Sequence, residues 1–577
     1  MSIETLPSAR TSALVTPHGG VLTDLYSTSP ASLFDERPDD RSPRITLDHR
    51  HLCDLELLLN GAFSPLTGFM ASDDYHRVVH DLRLGNGLLW PMPIVLDVSE
   101  ATAAGLSIGQ VIVLTDSQGT PLAELRLDDI YRPDKHAEAH HVFGTTDRNH
   151  PGVEELFARG AVYLGGPLRG LREPAHADFL DLRSTPRQLR HWFIQHGWDR
   201  IVGFQTRNPI HRAHFELTRR ACESIDARLL LHPVVGRTKE GDVDAHTRVR
   251  CYRALLPHYA EGQVKLSVLP LAMRMAGPRE AMWHALIRKN HGVSHFIVGR
   301  DHAGPGRDRS GRPYYGPCQA QDLLEEHKGE LGITIMAFPP MVFSKARRQF
   351  VPSDQLADGE DAADVSGTEL RQHLRAGTSI PAWFTFPEVE TVLRERFPAG
   401  AKRGSAIFFT GLSGAGKSAI AQALMAHILE ATGRQVTMLD GDEVRRTLSA
   451  GLGFSREHRS ANVRRIAFVA AEVVRHGGVV ICAPIAPYAD DRAEARRLVE
   501  AYGDFVEVHV STSLDVCEQR DTKGLYAQAR AGIVKEFTGI SDPYEVPASP
   551  DFRLDGATGT PSSHASTIFE DLLRRWR

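Results

Sequence analysis

Residues 405–431 read SAIFFT, then GLSGAGKS, then AIAQALMAHILEA. A short apolar strand, a glycine-rich loop closing on Gly-Lys-Ser, and a helix, in that order, define a phosphate-binding loop on a parallel α/β sheet. Gly411, Gly414 and Gly416 let backbone amides turn inward around phosphate oxygens without a Cβ clash, and Leu412, Ser413 and Ala415 complete the same nucleotide-binding loop. Lys417 would neutralise charge on the β and γ phosphates. Ser418 would help to hold Mg²⁺, and the helix would turn its positive end toward the anion.

The rest of the chain must be organised around that unit. A length of 577 residues predicts three to five compact units. The formal charge of -5 gives no support to a nucleic-acid groove or an anionic membrane as the main partner. Six cysteines, none in a CxxC pair, read as free, mostly structural thiols. No run approaches the roughly 20 apolar residues that span a bilayer, and Met1 to Pro30 lacks a signal-peptide pattern, so a cytoplasmic location is expected.

Residues 1–180 read as an irregular, strand-rich unit, with strands expected in 88–98 and 110–116. From 181 helices alternate with short apolar strands, which predicts a parallel sheet covered by helices. GEDAAD (359–364) reads as an exposed loop, SGTELRQHLRAG as a short helix, and ERFPAGAKRG as a linker before a second α/β unit.

Several segments carry chemistry. MLDGDEVRR places Asp440, Asp442, Arg445 and Arg446 at the end of a strand, where open α/β sheets bind ligands; a solvated helix start is the other reading. FSREHRSANVRR offers Phe454, Arg459, Asn462, Arg464 and Arg465, a set suited to an anionic purine nucleotide or simply to a basic helix face. DTKGLYAQARAG offers Lys523 and Arg530 for a lid. Upstream, GFQTRNPIHRAH delivers Gln205, Thr206 and Arg207 to a strand end, with Asn208 capping the next helix and Pro209 in its first turn. His211 and His214 follow at i,i+3 and could contact phosphates, hold a metal for which no third ligand is spaced nearby, or only pack. MRMAGPREA adds Arg274 and Arg279, and GRDHAGPG adds Arg300, Asp301 and His302 beside an amide-rich turn.

The texts GLSGAGKS, LDGDEVR, GFSREHRSANVRR, APYADDR, KGLYAQARAG and FTGISDPYE resemble adenylylsulfate kinase over nearly all of 405–577. That resemblance implies transfer of phosphate from Mg-ATP to the ribose 3′-hydroxyl of adenosine 5′-phosphosulfate (APS), giving PAPS. Asp442 would orient or deprotonate the hydroxyl, and Arg445, Phe454, Arg459, Asn462 and Lys523 would bind the acceptor. One departure is Ala486, where the family often has a serine. GFQTRNPIHRAH and GRDHAGPG, with GAFSPLTGFM (61–70), HPVVGRTKEGDVDAHTR (232–248) and FPPMVF (338–343), resemble ATP sulfurylase over most of 1–390. This implies attack of sulfate on the α phosphorus of ATP. Thr206, Arg207 and Asn208 would be the active residues, and Gln205, Arg207 and the Ala303 backbone the sulfate contacts. His211, His214, Arg300, Asp301, His302 and Val342 would contact ATP.

The resulting expectation is a multidomain α/β enzyme. It has a PUA-like β-rich N-terminal domain (1–180), a Rossmann-like nucleotidyltransferase domain (181–345), a small subdomain and linker (346–395) and a P-loop kinase domain (396–577). It would activate sulfate in two steps, with ATP, sulfate and APS as substrates, Mg²⁺ with the ATP, and a homo-oligomer, dimer or hexamer, as the assembly. A kinase-like domain kept only for regulation, and a sulfurylase run toward ATP, are the competing expectations.

Overall fold

The computed structural model describes residues 14–26, 42–239, 242–363, 365, 369–370, 373, 378–396, 404–521 and 524–576. The helix expected in SGTELRQHLRAG and most of the expected linker lie largely outside these residues.

The N-terminal sheet is built from β1 (Arg44–Thr46), β2 (Gly68–Phe69), β3 (Leu96–Val98), β4 (Val111–Thr115), β5 (Pro121–Arg126), β6 (Asp129–Tyr131) and β7 (Val162–Gly170). The long β7 is its spine, pairing antiparallel with β2, β3, β5 and β6, while β1 runs parallel to β4. The strand expected at 110–116 is β4. Of the stretch 88–98 only Leu96–Val98 is a strand, because Pro91 and Pro93 have no N–H to give a ladder. Its apolar residues are buried all the same: Trp90, Met92, Ile94 and Val95 are core.

The second sheet is parallel throughout. Its strands are β8 (Ile201–Phe204), β9 (Arg228–Leu231), β10 (Val264–Leu266), β11 (His295–Val298) and β12 (Thr334–Ala337), in the order β10-β9-β8-β11-β12. Leu230 packs into a core shared with the N-terminal domain, whereas Leu229 and Leu231 pack on the opposite face. Burial on both faces is what selects such apolar strands. A small antiparallel sheet, β13 (Met341–Ser344), β14 (Gln349–Pro352) and β15 (Ala362–Ala363), follows, so part of the acidic segment read as a loop pairs with β13.

The last sheet is again parallel: β16 (Ser405–Thr410), β17 (Val436–Asp440), β18 (Val479–Ala483), β19 (Asp504–Val510) and β20 (Phe552–Leu554), in the order β17-β18-β16-β19-β20. Its two faces carry separate apolar clusters. In both parallel sheets the strand order reverses beside the first strand, at β8 and at β16. Crevices at the carboxyl ends of such strands are where this architecture binds ligands.

Two candidate active sites

The first crevice lies where the loops after β8 and β11 meet. Gln205 and Thr206 are buried at the end of β8, and Arg207 emerges half-buried. Its guanidinium donates to both oxygens of Asp242 (2.9 and 3.2 Å) and to the Gly304 carbonyl (3.0 Å). The Arg207 fork is thereby aimed, and Asp242 marks the place where an oxyanion would compete for it. The side-chain oxygen of Gln205 is buried without a partner among the described residues. A sulfate offers only acceptors, so Gln205 would have to meet it through its NH₂ group.

Asn208 does not cap the following helix. The helix is Arg212–Ser224 with His211 at the N-cap, and Asn208 is bound upstream instead. Its N–H donates to Thr206 Oγ1 (3.0 Å), and its carbonyl accepts from Thr206 Oγ1 (3.1 Å) and the Tyr252 hydroxyl (2.8 Å). Pro209 therefore sits in the loop and not in the helix. The shift puts His211 and His214 together at the helix N-terminus, with ring centroids 6.4 Å apart, where backbone N–H groups and the helix dipole favour anions. His211 is held by Thr385 (3.0 Å), and burial pushes its pKa down to about 3, with His214 adding to the shift. It is a neutral hydrogen-bonding group at ordinary pH.

Across the crevice, Arg300 and Asp301 are exposed after β11, His302 is half-buried and Ala303 is buried. Ala303 adopts φ 55°, in the left-handed region, and its carbonyl accepts from Gly277 (3.3 Å). Met275, at φ 61°, lies two residues before that glycine. Strained backbone of this kind persists where surroundings over-determine it. Val342 is on β13, away from both loops in sequence and paired with Val351.

Arg274 and Arg279 require correction. Arg274 is buried against Asp54 of the N-terminal domain (2.6 and 2.7 Å) and the Ala272 carbonyl (2.6 Å). Arg279 donates to the carbonyls of Val79 (2.8 Å), Val78 and Pro91. Both cations join two domains and are spent on that, so neither is presented to an anion.

The second crevice is a cavity of about 460 Å³ at the end of β16. It brings together Ser413, Gly414, Gly416, Lys417, Ser418, Asp442, Arg445, Phe454, Arg459 and Asn462, all expected there. Gly416 at φ 106° starts the Lys417–Ala431 helix, and a Cβ on Gly411 would meet the Val510 carbonyl at 2.5 Å, so the loop depends on glycine at these turns. Lys417 donates to the carbonyls of Gly411 (2.9 Å) and Leu412 (2.7 Å). Ser418 donates to Asp440 (2.6 Å), and the other Asp440 oxygen accepts from the Asp442 N–H (3.0 Å). The Arg445 guanidinium lies 4.5 Å from the Phe454 ring centroid, and burial lowers its pKa. Asn462 is buried with its side-chain oxygen unpartnered among the described residues. Arg459, in contrast, is occupied by Asp542 (2.7 Å), Thr538 and the Glu536 carbonyl. Lys523 lies outside the described residues.

Wall residues that escaped the sequence reading include Tyr526 and Gln118. Tyr526 donates to the Ser413 carbonyl (2.9 Å), bracing the loop from outside. Gln118, from the turn between β4 and β5 of the N-terminal domain, lines the same cavity. Nothing local in DSQGT signals either a ligand or a partner 300 residues away.

Two nucleotide-type crevices on parallel sheets, one with paired histidines at a helix N-terminus and one with a complete phosphate loop, define a two-site nucleotide-dependent transferase. Family models match in the same order: PUA-like domain at 15–173, ATP-sulfurylase at 180–396 and adenylylsulphate kinase at 403–555. Sulfate adenylyltransferase of Gibberella zeae is 52% identical over 94% of this chain and 95% of its own length, and that of Yarrowia lipolytica 50% over 94% and 96%. A solved structure, described as a hexameric APS kinase from Thiobacillus denitrificans, is 34% identical with a TM-score of 0.58, covering 97% of this chain and 99% of its own. The chain belongs to the sulfate adenylyltransferase family, with a PUA-like domain, an ATP-sulfurylase domain and a C-terminal adenylylsulfate kinase domain. The pairing of the two catalytic domains is that of sulfate activation, to APS and then to PAPS.

Proposed function

We propose that the two crevices carry these reactions out in sequence through the residues described. In the first, Arg207, the Gln205 NH₂ group and the Ala303 N–H hold sulfate, His211, His214, Arg300, Asp301 and His302 hold ATP with Val342 as a wall, and Thr206, Arg207 and Asn208 act at the reacting phosphorus. A sulfate oxygen bonds to the α phosphorus as its bond to the bridging oxygen breaks, and pyrophosphate leaves. No protein nucleophile is needed; positioning and neutralisation of charge on the leaving group are the protein's contribution.

In the second, the ribose 3′-oxygen of APS bonds to the γ phosphorus, ADP leaves, and Asp442 orients or accepts the hydroxyl proton. The loop of residues 411–418 cradles the donor, and Arg445, Phe454, Arg459, Asn462 and Lys523 form the acceptor side. The hydroxyl of Ser418 and the carboxylate of Asp440, 2.6 Å apart, are hard oxygen donors of the type Mg²⁺ takes when it arrives with phosphate oxygens and water. Mg²⁺ supplies neutralisation of the β and γ phosphates. The observation that carries the reading is that Ser413, Gly414, Gly416, Lys417 and Ser418 of the loop face one cavity together with Asp442, Arg445, Phe454, Arg459 and Asn462. That favours catalysis over a merely regulatory nucleotide site.

We also propose the divisions 1–180, 181–345, 346–395 and 396–577, a cytoplasmic location and a homo-oligomer. Among the described residues no helix is long and apolar enough to cross a membrane, and the hexameric relative supports assembly.

Labelled sulfate with ATP, Mg²⁺ and pyrophosphatase tests the sequence of reactions: APS and then PAPS should form. Lys417→Ala should accumulate APS with PAPS formation reduced at least about 100-fold. Arg207→Ala should abolish sulfate-dependent pyrophosphate release yet still phosphorylate added APS. Wild-type protein unable to phosphorylate authentic APS would overturn the kinase assignment, and full sulfurylase activity in Arg207→Ala would overturn the sulfate clamp.

A further inference from the structure

The half-buried ring of His302 is gripped from behind by a buried chain of groups. On the Gly277–Asn290 helix, Glu280 and His284 stand one turn apart and are completely buried. Nδ1 of His284 lies 3.0 Å from Nε2 of His302. On its other side, Nε2 of His284 lies 3.3 Å from a Glu280 oxygen, off-line for a full hydrogen bond but with no other partner among the described residues. The two Glu280 oxygens also accept the N–H groups of Arg274 and Ala276, each at 2.9 Å, which fixes the carboxylate and the left-handed turn at Met275 between them. Nδ1 of His302 has no partner among the described residues and is not sealed from solvent.

The proton count follows from these contacts. A carboxylate only accepts, so His284 carries its proton on Nε2, toward Glu280, and offers Nδ1 as an acceptor. The proton between the two rings then belongs to Nε2 of His302. This leaves Nδ1 of His302, the nitrogen without a partner among the described residues, with a lone pair. We propose that Glu280 and His284 are positioning residues that set this tautomer and let His302 take a solvent proton on Nδ1 when the phosphate chain of ATP arrives, so that an imidazolium faces the departing pyrophosphate.

The surroundings set the conditions for that uptake. The groups facing His302 are His284, Glu280 and Arg288 from the helix, Arg207 from the loop after β8, the neighbouring Asp301, and the Phe296 ring of β11 at 5.7 Å. Burial, His284 and the two arginines hold the ring neutral while no anion is present, and Glu280 opposes them. Burial raises the Glu280 carboxyl, while the two amide donors and Arg274 work to keep it ionised. Incoming phosphate charge adds to Glu280 and tips the ring toward protonation.

This inference rests on the reading of the first crevice as the sulfurylase site. Two measurements test it on the full chain, with phosphorylation of added APS as the check that each variant is folded. ATP binding followed by calorimetry in buffers of different ionisation enthalpy, near pH 7, should show wild type taking up more protons than His284→Phe or Glu280→Gln. The expected difference is about half a proton or more. In sulfurylase pH profiles, His284→Phe should lower kcat/KM about tenfold or more and move the pH dependence. His284→Gln, whose amide oxygen can accept from His302 but cannot relay to Glu280, should restore rate without restoring the profile. Equal proton uptake in wild type and variants, or a wild-type pH profile in His284→Phe, would refute the relay. If His284→Phe fails to fold, the same comparisons with His284→Gln decide it. A wild type that binds ATP with the extra proton but makes no APS would instead refute the site reading alone.

Discussion

Ala486 takes φ 44° while almost wholly buried in the wall of the kinase cavity. Its carbonyl accepts from Thr410 (3.1 Å) and Arg492 (2.8 Å), and these two bonds hold a conformation that costs an L-residue about 1–2 kcal/mol. Ala486→Gly should remove that strain at an entropic cost of about 0.5–1 kcal/mol, a net gain of up to about 1.5 kcal/mol. Calorimetry of the kinase-domain transition reads it, and a lower midpoint would show that the surroundings, not the residue, set the energy. Arg274 predicts the opposite sign. Arg274→Ala removes the hydrogen-bonded partner of the buried Asp54, leaving among the described residues only Arg50 at 3.9 Å, and should cost about 3 kcal/mol, with KM for sulfate in the folded protein unchanged. A selective rise in that KM, with stability intact, would return Arg274 to the anion site.

At the scale of elements, the sites were legible wherever strand, loop and helix are contiguous. SAIFFT-GLSGAGKS folds as read and RIVGFQT-RNPIHRAH keeps its strand-loop-helix order with a later helix start, because a parallel strand followed by its crossover helix exposes the loop between them. The cap differs from the expectation because the Asn208 backbone is held in the loop by Thr206 and by Tyr252, the second of them 44 residues away. Arg274 was misread for a similar reason, since Asp54 lies 220 residues back. Pairings that long leave no periodicity in a sequence. The helix Arg212–Ser224 yields its own prediction. His211→Ala should retain the helix, because the N-cap contributes only about 1 kcal/mol, yet weaken ATP binding in the sulfurylase reaction. Unaltered KM for ATP would reduce His211 to a cap.

For the whole molecule, the buried histidines set the response to acid. Burial holds His18, His150 and His509 down to about 4 and His211 and His291 to about 3, against 6.5 for an ordinary histidine. Unfolding lets each of them bind a proton that the folded state refuses. Their contribution is therefore complete above pH 6.5 and is lost as pH falls toward 4 and then 3, by up to about 1.4 kcal/mol per group per pH unit. The melting temperature should be level above pH 7 and drop steeply between 6.5 and 4; a level curve through that window would contradict it. The cross-domain wall makes a second test. Gln118→Trp should raise KM of the kinase reaction about threefold or more while leaving sulfurylase kcat/KM within about twofold.

The Lys417–Ala431 helix has its phosphate end at Lys417, and near its far end Glu430 accepts the N–H of Phe179 (2.9 Å) as the helix lies against Ala245–Leu255 of the other catalytic domain. Fifteen residues make a strut of about 22 Å. One end docks on the ATP-sulfurylase domain, and the other begins at the glycine-rich loop of the adenylylsulfate kinase domain. A single rigid rod thus sets how far the phosphate loop stands from the docking point on the other catalytic domain, and shortening that rod by one turn would pull the loop from its sheet or the docking point from its partner helix.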